Sequence, residues 1–366
     1  MIGKRLTEWW RDLARGDRAE VWPRAAGIGF LVLLSVLYGI ASSLALWLRS
    51  LAPRRVRVPV ISVGNVVAGG TGKTPLVIYL ARLLAKDRDD VAIVSRGYGR
   101  NGRGTVVVSR GERPLVGWEE AGDEPYLMAV LTKGVGIVVA TRRAAGVRYA
   151  VKRMRAGVIL LDDAFQHVQL ARDLDIVTLD ARRPLGNGHL LPGGILREHP
   201  HGLRRAHLLV ATRCDAEGDP ASEVRRVAAA FAPGADVVET RMKPVELWSI
   251  STGEKVSLSS ARREPVLVLS SIGDPADFER TVERLGFEIA GVRSFPDHYR
   301  YGPEDLRSIE SLARSCGAGA IVTTEKDSVR LTAWRPAVPL LAIGIELEFV
   351  RGEEIMRESV ETVLGE

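Results

Sequence analysis

The sequence predicts an α/β protein: a mostly parallel sheet with helices on both faces, a second and smaller α/β domain, and an N-terminal membrane-anchor helix. Three observations predict it. From Pro53 onward, short Val/Ile-rich runs alternate with longer mixed segments. A glycine-rich loop ending in a Lys-Thr pair follows the first such run. An uncharged stretch, residues 25–48, precedes both.

The uncharged stretch is dominated by Ile28, Phe30, Leu31, Val32, Leu33, Leu34, Val36, Leu37, Ile40, Leu44, Leu46 and Trp47. As a helix it covers roughly 36 Å, enough for a hydrocarbon core of about 30 Å. No polar face interrupts it, which argues against a buried core helix. It is too long and too late for a signal-peptide core. Arg49, Arg54, Arg55 and Arg57 follow it, while Lys4, Arg5, Arg11, Arg15, Arg18 and Arg24 precede it. A simple span exports the second group, against the positive-inside tendency. Leu6, Trp9, Trp10 and Leu13 suit one face of an interfacial helix, so crossing and in-plane anchors both stay open.

The remaining chain alternates in the manner of a parallel sheet. Strands are expected at 58–63, 91–95, 135–140, 158–161, 175–179 and 207–211, with helices such as 75–85 and 124–131 between them. Buried parallel strands read as continuous Val/Ile/Leu runs because helices cover both faces. A second set follows at 266–270, 289–292, 320–323 and 340–343. The small, polar and charged residues 215–235 lie near the join. The expected domains are thus a 1–55 anchor, a 56–240 core and a 241–366 second domain, whose C-terminal helix packs back on the core. At 366 residues, 46% hydrophobic and 26% charged, the chain is long enough for both. Cys214 and Cys316 match neither a disulfide framework nor a zinc spacing, which suits a reducing compartment. The net charge of +6 suits nucleic acid, an anionic bilayer or a phosphorylated substrate alike.

Gly69-Gly70-Thr71-Gly72-Lys73-Thr74 is the strongest local signal. It lies between a strand and a helix, where glycines let backbone N–H groups turn toward phosphate oxygens and the helix dipole favours negative charge. Lys73 reaches the β- and γ-phosphates, and the Thr74 hydroxyl suits magnesium. This is a P-loop of the NTPase type, with Val67 where the usual pattern starts on glycine; Gly69 and Gly70 are expected to supply the flexibility. Asp162-Asp163 ends the apolar run 158–161, at the sheet edge where open parallel sheets bind ligands. Thr212-Arg213-Cys214-Asp215 resembles a guanine-reading motif, but Arg213 replaces its lysine, so ATP is preferred. Ala68 stands where partitioning ATPases carry a second lysine, which argues against that class.

Further blocks carry a resemblance. Ser62-Val63-Gly64-Asn65 precedes the loop, and Ser95-Arg96-Gly97-Tyr98-Gly99-Arg100 and Gly122-Asp123-Glu124-Pro125 come after it. Asp162-Asp163-Ala164-Phe165-Gln166-His167, residues 180–188, and Leu190-Leu191-Pro192-Gly193-Gly194 with Leu196-Arg197-Glu198 continue the series. Phe295-Pro296-Asp297-His298-Tyr299 and Thr323-Thr324-Glu325-Lys326-Asp327 complete it. In these blocks, from the anchor nearly to the C-terminus, the chain resembles the tetraacyldisaccharide 4′-kinases, or lipid A 4′-kinases. Ala164 departs from the family's usual glycine and stiffens that turn.

The resemblance implies transfer of the ATP γ-phosphoryl to the 4′-hydroxyl of a tetraacylated glucosamine disaccharide 1-phosphate. It implies the cytoplasmic face of a bacterial inner membrane, a bilayer-embedded glycolipid substrate, and no nucleic-acid or protein partner. It implies two α/β/α domains with the active site in the cleft between them. ATP and Mg2+ are the implied co-substrate and metal. By analogy Asp123 is the base and His298 its partner, meeting from different domains; Lys73 joins them in catalysis. Gly69, Gly70, Thr71, Gly72, Lys73 and Thr74 hold the nucleotide. Thr74, Glu124, Asp162 and Asp163 are the metal candidates. Arg143, Arg197, Glu198 and Tyr98 are substrate candidates, with Arg142 beside Arg143 leaving that choice open. Tyr98 suits packing equally well, and His167 a structural role in the turn after Asp163.

Overall fold

The structure, a computed structural model, describes residues 25–261 and 264–365, with side chains from residue 31 onward apart from residue 260. The basic cluster from Lys4 to Arg24 and the interfacial stripe Leu6, Trp9, Trp10 and Leu13 lie outside the described residues. In chain order the strands are β1 (Val60–Gly64), β2 (Val91–Ser95), β3 (Thr105–Arg110), β4 (Gly136–Ala140), β5 (Val158–Asp162) and β6 (Leu174–Asp180). They continue with β7 (Leu208–Thr212), β8 (Asp236–Ser249), β9 (Val266–Ser270), β10 (Ile289–Ser294), β11 (Ala320–Thr324) and β12 (Leu340–Arg351). Every strand expected from the Val/Ile runs is present within a residue or two at its start. β3 and β8 were not expected. β8 and β12 are long, at 14 and 12 residues.

Two units are resolved. The first contains the described residues up to Arg96, then Arg142–Arg241 and Glu348–Glu366. Its strands run β8-β7-β6-β1-β5-β2, all parallel. β1, β2, β5 and β7 are buried at every position, as strands covered on both faces must be. The helix Glu353–Leu364 returns to this unit, where Tyr79 donates to Glu353 at 2.8 Å.

The second unit comprises Gly97–Thr141 and Met242–Leu347. β10-β9-β11-β12 are parallel neighbours, and β3 pairs antiparallel with β4. Alternate residues of β9 face opposite cores. Val266 and Val268 pack with Phe278 and Val282 of the helix Pro275–Arg284. Leu267 and Leu269 pack with Ile309 and Ala313 of the helix Pro303–Ser315. The period-2 alternation of a strand thus clothes both faces of one sheet. This division differs from the expected break after residue 240. Residues 97–141 lie inside the expected core by sequence but cluster with the second unit, because compactness follows packing and not chain order.

The helix Ala25–Ser50 belongs to the first unit. Residues 31–50 are long and apolar enough to cross a membrane. Leu33, Val36, Leu37, Ile40, Leu44, Trp47 and Leu48 are all more than half exposed. The face opposite is polar where it meets the protein: Ser35 is buried, and Tyr38 hydrogen-bonds to Arg197. The uniform apolar face expected from the sequence is therefore interrupted at Ser35 and Tyr38.

Candidate active site

The phosphate loop leaves the C-terminal end of β1 and opens the helix Lys73–Leu84. Gly69 and Gly72 take φ of 116° and 78°, a region that side chains disfavour. Val67 needs no such freedom: it is buried and bridges antiparallel to Leu196. That is why the loop tolerates valine where its pattern usually starts on glycine. A buried relay holds the turn. Asn65 Nδ2 donates to Thr71 Oγ1 at 3.0 Å, Thr71 and Thr178 hydroxyls meet at 2.7 Å, and Thr178 donates to the Gly64 carbonyl at 3.3 Å. Thr212 donates to the Thr71 carbonyl at 3.2 Å. The loop is thus braced by side chains from the ends of β1, β6 and β7.

Asp162 sits at the end of β5, in register with Val63 of β1, so the carboxylates follow the strand beside the loop. Ser95 at the end of β2 donates to Asp162 at 2.8 Å. Asp163 lies at φ 47° and meets Lys73 at 3.6 Å and Arg197 at 2.8 Å. Burial alone pushes the Asp163 carboxyl up, but Lys73, Arg197 and Arg143 outweigh it and hold it below the usual aspartate range. Arg143, not the exposed Arg142, is the buried member of that pair. Its Nη2 donates to the carbonyls of Asp162 (3.1 Å) and Asp163 (2.5 Å), tying down the turn that carries both carboxylates. Glu198 is buried between Gln166 (2.8 Å) and Arg205 (2.7 Å). His167 donates its backbone N–H to Ala164 at 2.8 Å within the same turn. Burial, and then Arg143 and Arg172, push its imidazole down to about 4.

A second cluster lies wholly within the second unit. Asp123 opens the helix Asp123–Leu131, and its carboxylate lies 3.0 Å from His298 Nδ1 and 3.3 Å from Arg330 Nη1. The two were expected to come from different domains; both belong to the second unit, because residues 97–141 cluster there. Burial raises the Asp123 carboxyl, but the His298 hydrogen bond and the charges of Arg330 and Lys326 bring it below the usual range. His298 lies at φ 60°, and the ring of the exposed Tyr98 sits 5.5 Å from its imidazole.

Lys326 and Arg330 received no role from sequence, although Lys326 stood in a recognised block. They lie one turn apart on the helix Glu325–Leu331 and so share a face. Thr324 caps that helix by accepting from Asp327 N–H at 3.0 Å. Lys326 Nζ meets His298 Nε2 at 3.2 Å, Asp297 at 3.1 Å and Glu124 at 3.4 Å. An ammonium only donates, so Nε2 accepts and Nδ1 carries the proton given to Asp123. Burial disfavours the Lys326 ammonium, yet Glu124 and Asp297 more than compensate and raise its pKa. Arg330 is held by Asp327 (2.5 Å) and the Tyr299 carbonyl (2.9 Å).

Among the described residues no group of three or more His, Cys, Asp or Glu side chains is placed to hold a metal. The metal candidates divide between the units: Thr74, Asp162 and Asp163 in the first, Glu124 in the second. The first set is all oxygen, hard donors that fit a magnesium ion taking few protein ligands and the rest from phosphates and water. Arg213 of the guanine-like motif is paired with Asp180.

A family model described as tetraacyldisaccharide-1-P 4'-kinase, LpxK, matches residues 28–365. A tetraacyldisaccharide 4'-kinase of an Anaeromyxobacter species is 43% identical over 354 residues, covering 94% of this chain and 95% of that protein. A tetraacyldisaccharide 4'-kinase of Syntrophus aciditrophicus is 42% identical over 305 residues, covering 80% and 82%. The crystal structure of LpxK from Aquifex aeolicus in complex with ATP matches with a TM-score of 0.75 and 33% identity, over 92% of this chain and 99% of that one.

Proposed function

Because the chain belongs to the tetraacyldisaccharide-1-P 4'-kinase family, we propose that it transfers the ATP γ-phosphoryl to the 4′-hydroxyl of a tetraacyldisaccharide 1-phosphate. The observation that carries this reading to residues is Lys73, Asp163 and Arg197 gathered beside the phosphate loop. In the transfer the acceptor oxygen bonds to the γ-phosphorus and the β–γ bridging bond breaks. The hydroxyl proton leaves to protein, and ADP departs.

Gly69, Gly70, Thr71 and Gly72 present backbone N–H groups to the phosphates, and Lys73 places a positive charge where charge builds up. Thr74 and Asp162 are the residues that would hold magnesium, whose charge neutralises the phosphates when bound. Asp163 orients Lys73 and Arg197, and Arg143 fixes the turn beneath it. In the second unit Asp123 takes the acceptor proton. His298 orients that carboxylate, and Lys326 keeps the imidazole in the tautomer that donates to Asp123. Tyr98, exposed beside His298, contacts the acceptor. Glu198, buried against Arg205, supports this chemistry from below.

We read the helix Ala25–Ser50 as the membrane anchor, on the cytoplasmic face of the inner membrane, since an acceptor with four acyl chains stays in the bilayer. With residues up to Tyr38 held on the first unit, residues 39–50 give roughly 18 Å of helix, less than the ~30 Å hydrocarbon core. That length suits insertion into one leaflet better than a full crossing. Incubation with γ-labelled ATP and a lipid A precursor in mixed micelles, then separation of the lipid, tests the proposal. Label in the lipid, with ADP release that depends on the acceptor, is expected. ADP release without the acceptor and no labelled lipid overturns it.

A further inference from the structure

The most buried described side chain of the apolar helix is a serine. Ser35 is 4% exposed, while its apolar neighbours Leu33, Val36 and Leu37 are 54–59% exposed. Its hydroxyl lies 2.8 Å from the carbonyls of Leu31 and Leu190 and accepts the Gly193 N–H at 2.9 Å. One turn on, Tyr38 Oη donates to the Arg197 carbonyl at 2.8 Å. The fit at Gly193 leaves no room for a side chain: a Cβ there would stand 2.7 Å from Ser35 Oγ and 3.2 Å from the Leu31 carbonyl.

The segment that these two residues hold is also the far wall of the phosphate loop. Arg197 N–H donates to the Val66 carbonyl at 2.8 Å, Ala68 N–H donates to the Ile195 carbonyl at 2.7 Å, and Val67 bridges to Leu196. The Arg197 side chain then reaches Asp163, which meets Lys73. One folded-back turn, residues 190–197, is therefore bonded to the anchor helix on one side and to the loop on the other. Polar side chains on a mainly apolar helix are expensive in a bilayer unless they are bonded, and Ser35 and Tyr38 are the ones that bond to segment 190–197.

We infer that Ser35 and Tyr38 are positioning residues, a latch through which the anchor helix fixes segment 190–197 and hence Arg197 and the entry to the phosphate loop. The helix then has two separate sides, an exposed apolar side for the bilayer and a bonded polar side that orders the nucleotide site. The inference rests on the proposed kinase reading for its rate effect, but not for its structural effect.

The test uses the full chain in lipid nanodiscs with Ser35→Ala, Tyr38→Phe and the double variant. Ser35→Ala is expected to speed amide exchange across 190–197, because the Gly193 N–H loses its acceptor. Each variant is expected to lower kcat/KM roughly three- to tenfold, the range one lost hydrogen bond commands. Membrane flotation stays unchanged, and Ser35→Thr restores the rate by restoring the hydroxyl. In an Arg197→Ala background Tyr38→Phe is expected to add little, since its effect passes through Arg197. Unchanged exchange in 190–197, rate losses that multiply with Arg197→Ala, or loss of flotation alongside loss of rate overturns the latch. If the unaltered protein labels no lipid, the kinase reading falls, while exchange in 190–197 still decides the latch.

Discussion

Asp123 and His298 should act as one unit, and the structure sets what each substitution removes. Asp123→Asn keeps the shape and deletes the charge that faces His298 at 3.0 Å and Arg330 at 3.3 Å. If Asp123 is the base, the loss belongs to general base catalysis, about 10²–10⁴ in rate, or roughly 3–5 kcal/mol of barrier. The folding cost is much smaller. Arg330 keeps Asp327 at 2.5 Å and the Tyr299 carbonyl at 2.9 Å, so no buried cation is stranded. About 1 kcal/mol of stability is at stake, the net worth of a hydrogen bond. A rate loss of the expected size is therefore not an unfolding effect. His298→Gln should lower kcat as well, and the double variant should match the worse single, because removing the second member of a broken unit costs little more. The assay is a double-mutant cycle on kcat/KM for the lipid acceptor, with KM for ATP and a melting curve for each variant. Log-rate losses that add, or a His298→Gln loss that tracks its melting temperature, would refute the pairing and leave His298 a loop residue.

Lys73→Ala is expected to abolish measurable transfer, a loss on the order of several kcal/mol, in a protein with unchanged circular dichroism; Asp163 retains Arg197. His167 carries a pH dependence of stability. Its folded pKa, about 4, lies below the unfolded 6.5, so the unfolded chain binds more protons between those values and stability falls as pH drops through that window. His167→Gln should flatten the melting temperature against pH between 4 and 6.5, and an unchanged slope would place the protonation elsewhere. Deleting residues up to Leu48 should abolish flotation. It should also lower the melting temperature, since Ser35 and Tyr38 leave with the helix; a truncated form that melts as the full chain does would show that the helix adds no stability.

Sequence alone determined the features whose physics is local. Val/Ile runs buried on both faces declare parallel strands, and β2 and β9 fall where their runs stand, Val91–Ser95 and Val266–Ser270. The phosphate loop is legible because its glycines, lysine and threonine are consecutive. The uncharged stretch is legible because bilayer thickness translates directly into residue count. β3 escaped because its run, Thr105–Arg110, is buried only in part and finds its partner in antiparallel pairing with β4.

Only tertiary structure decided the rest, for the reason that burial and pairing are set by residues distant in the chain. The grouping of 97–141 with the second unit brings Asp123 to His298 across 175 positions. Lys326 and Arg330 look in sequence like solvated charges on a short helix; their capped turn aims both at that pair. Val67 looks like a defect in the phosphate loop until its bridge to Leu196 is seen. Ser35 looks like a minor interruption of an apolar helix until Leu190 and Gly193 close on it. Periodicity tells which faces must be covered, and the three-dimensional fold alone tells by what.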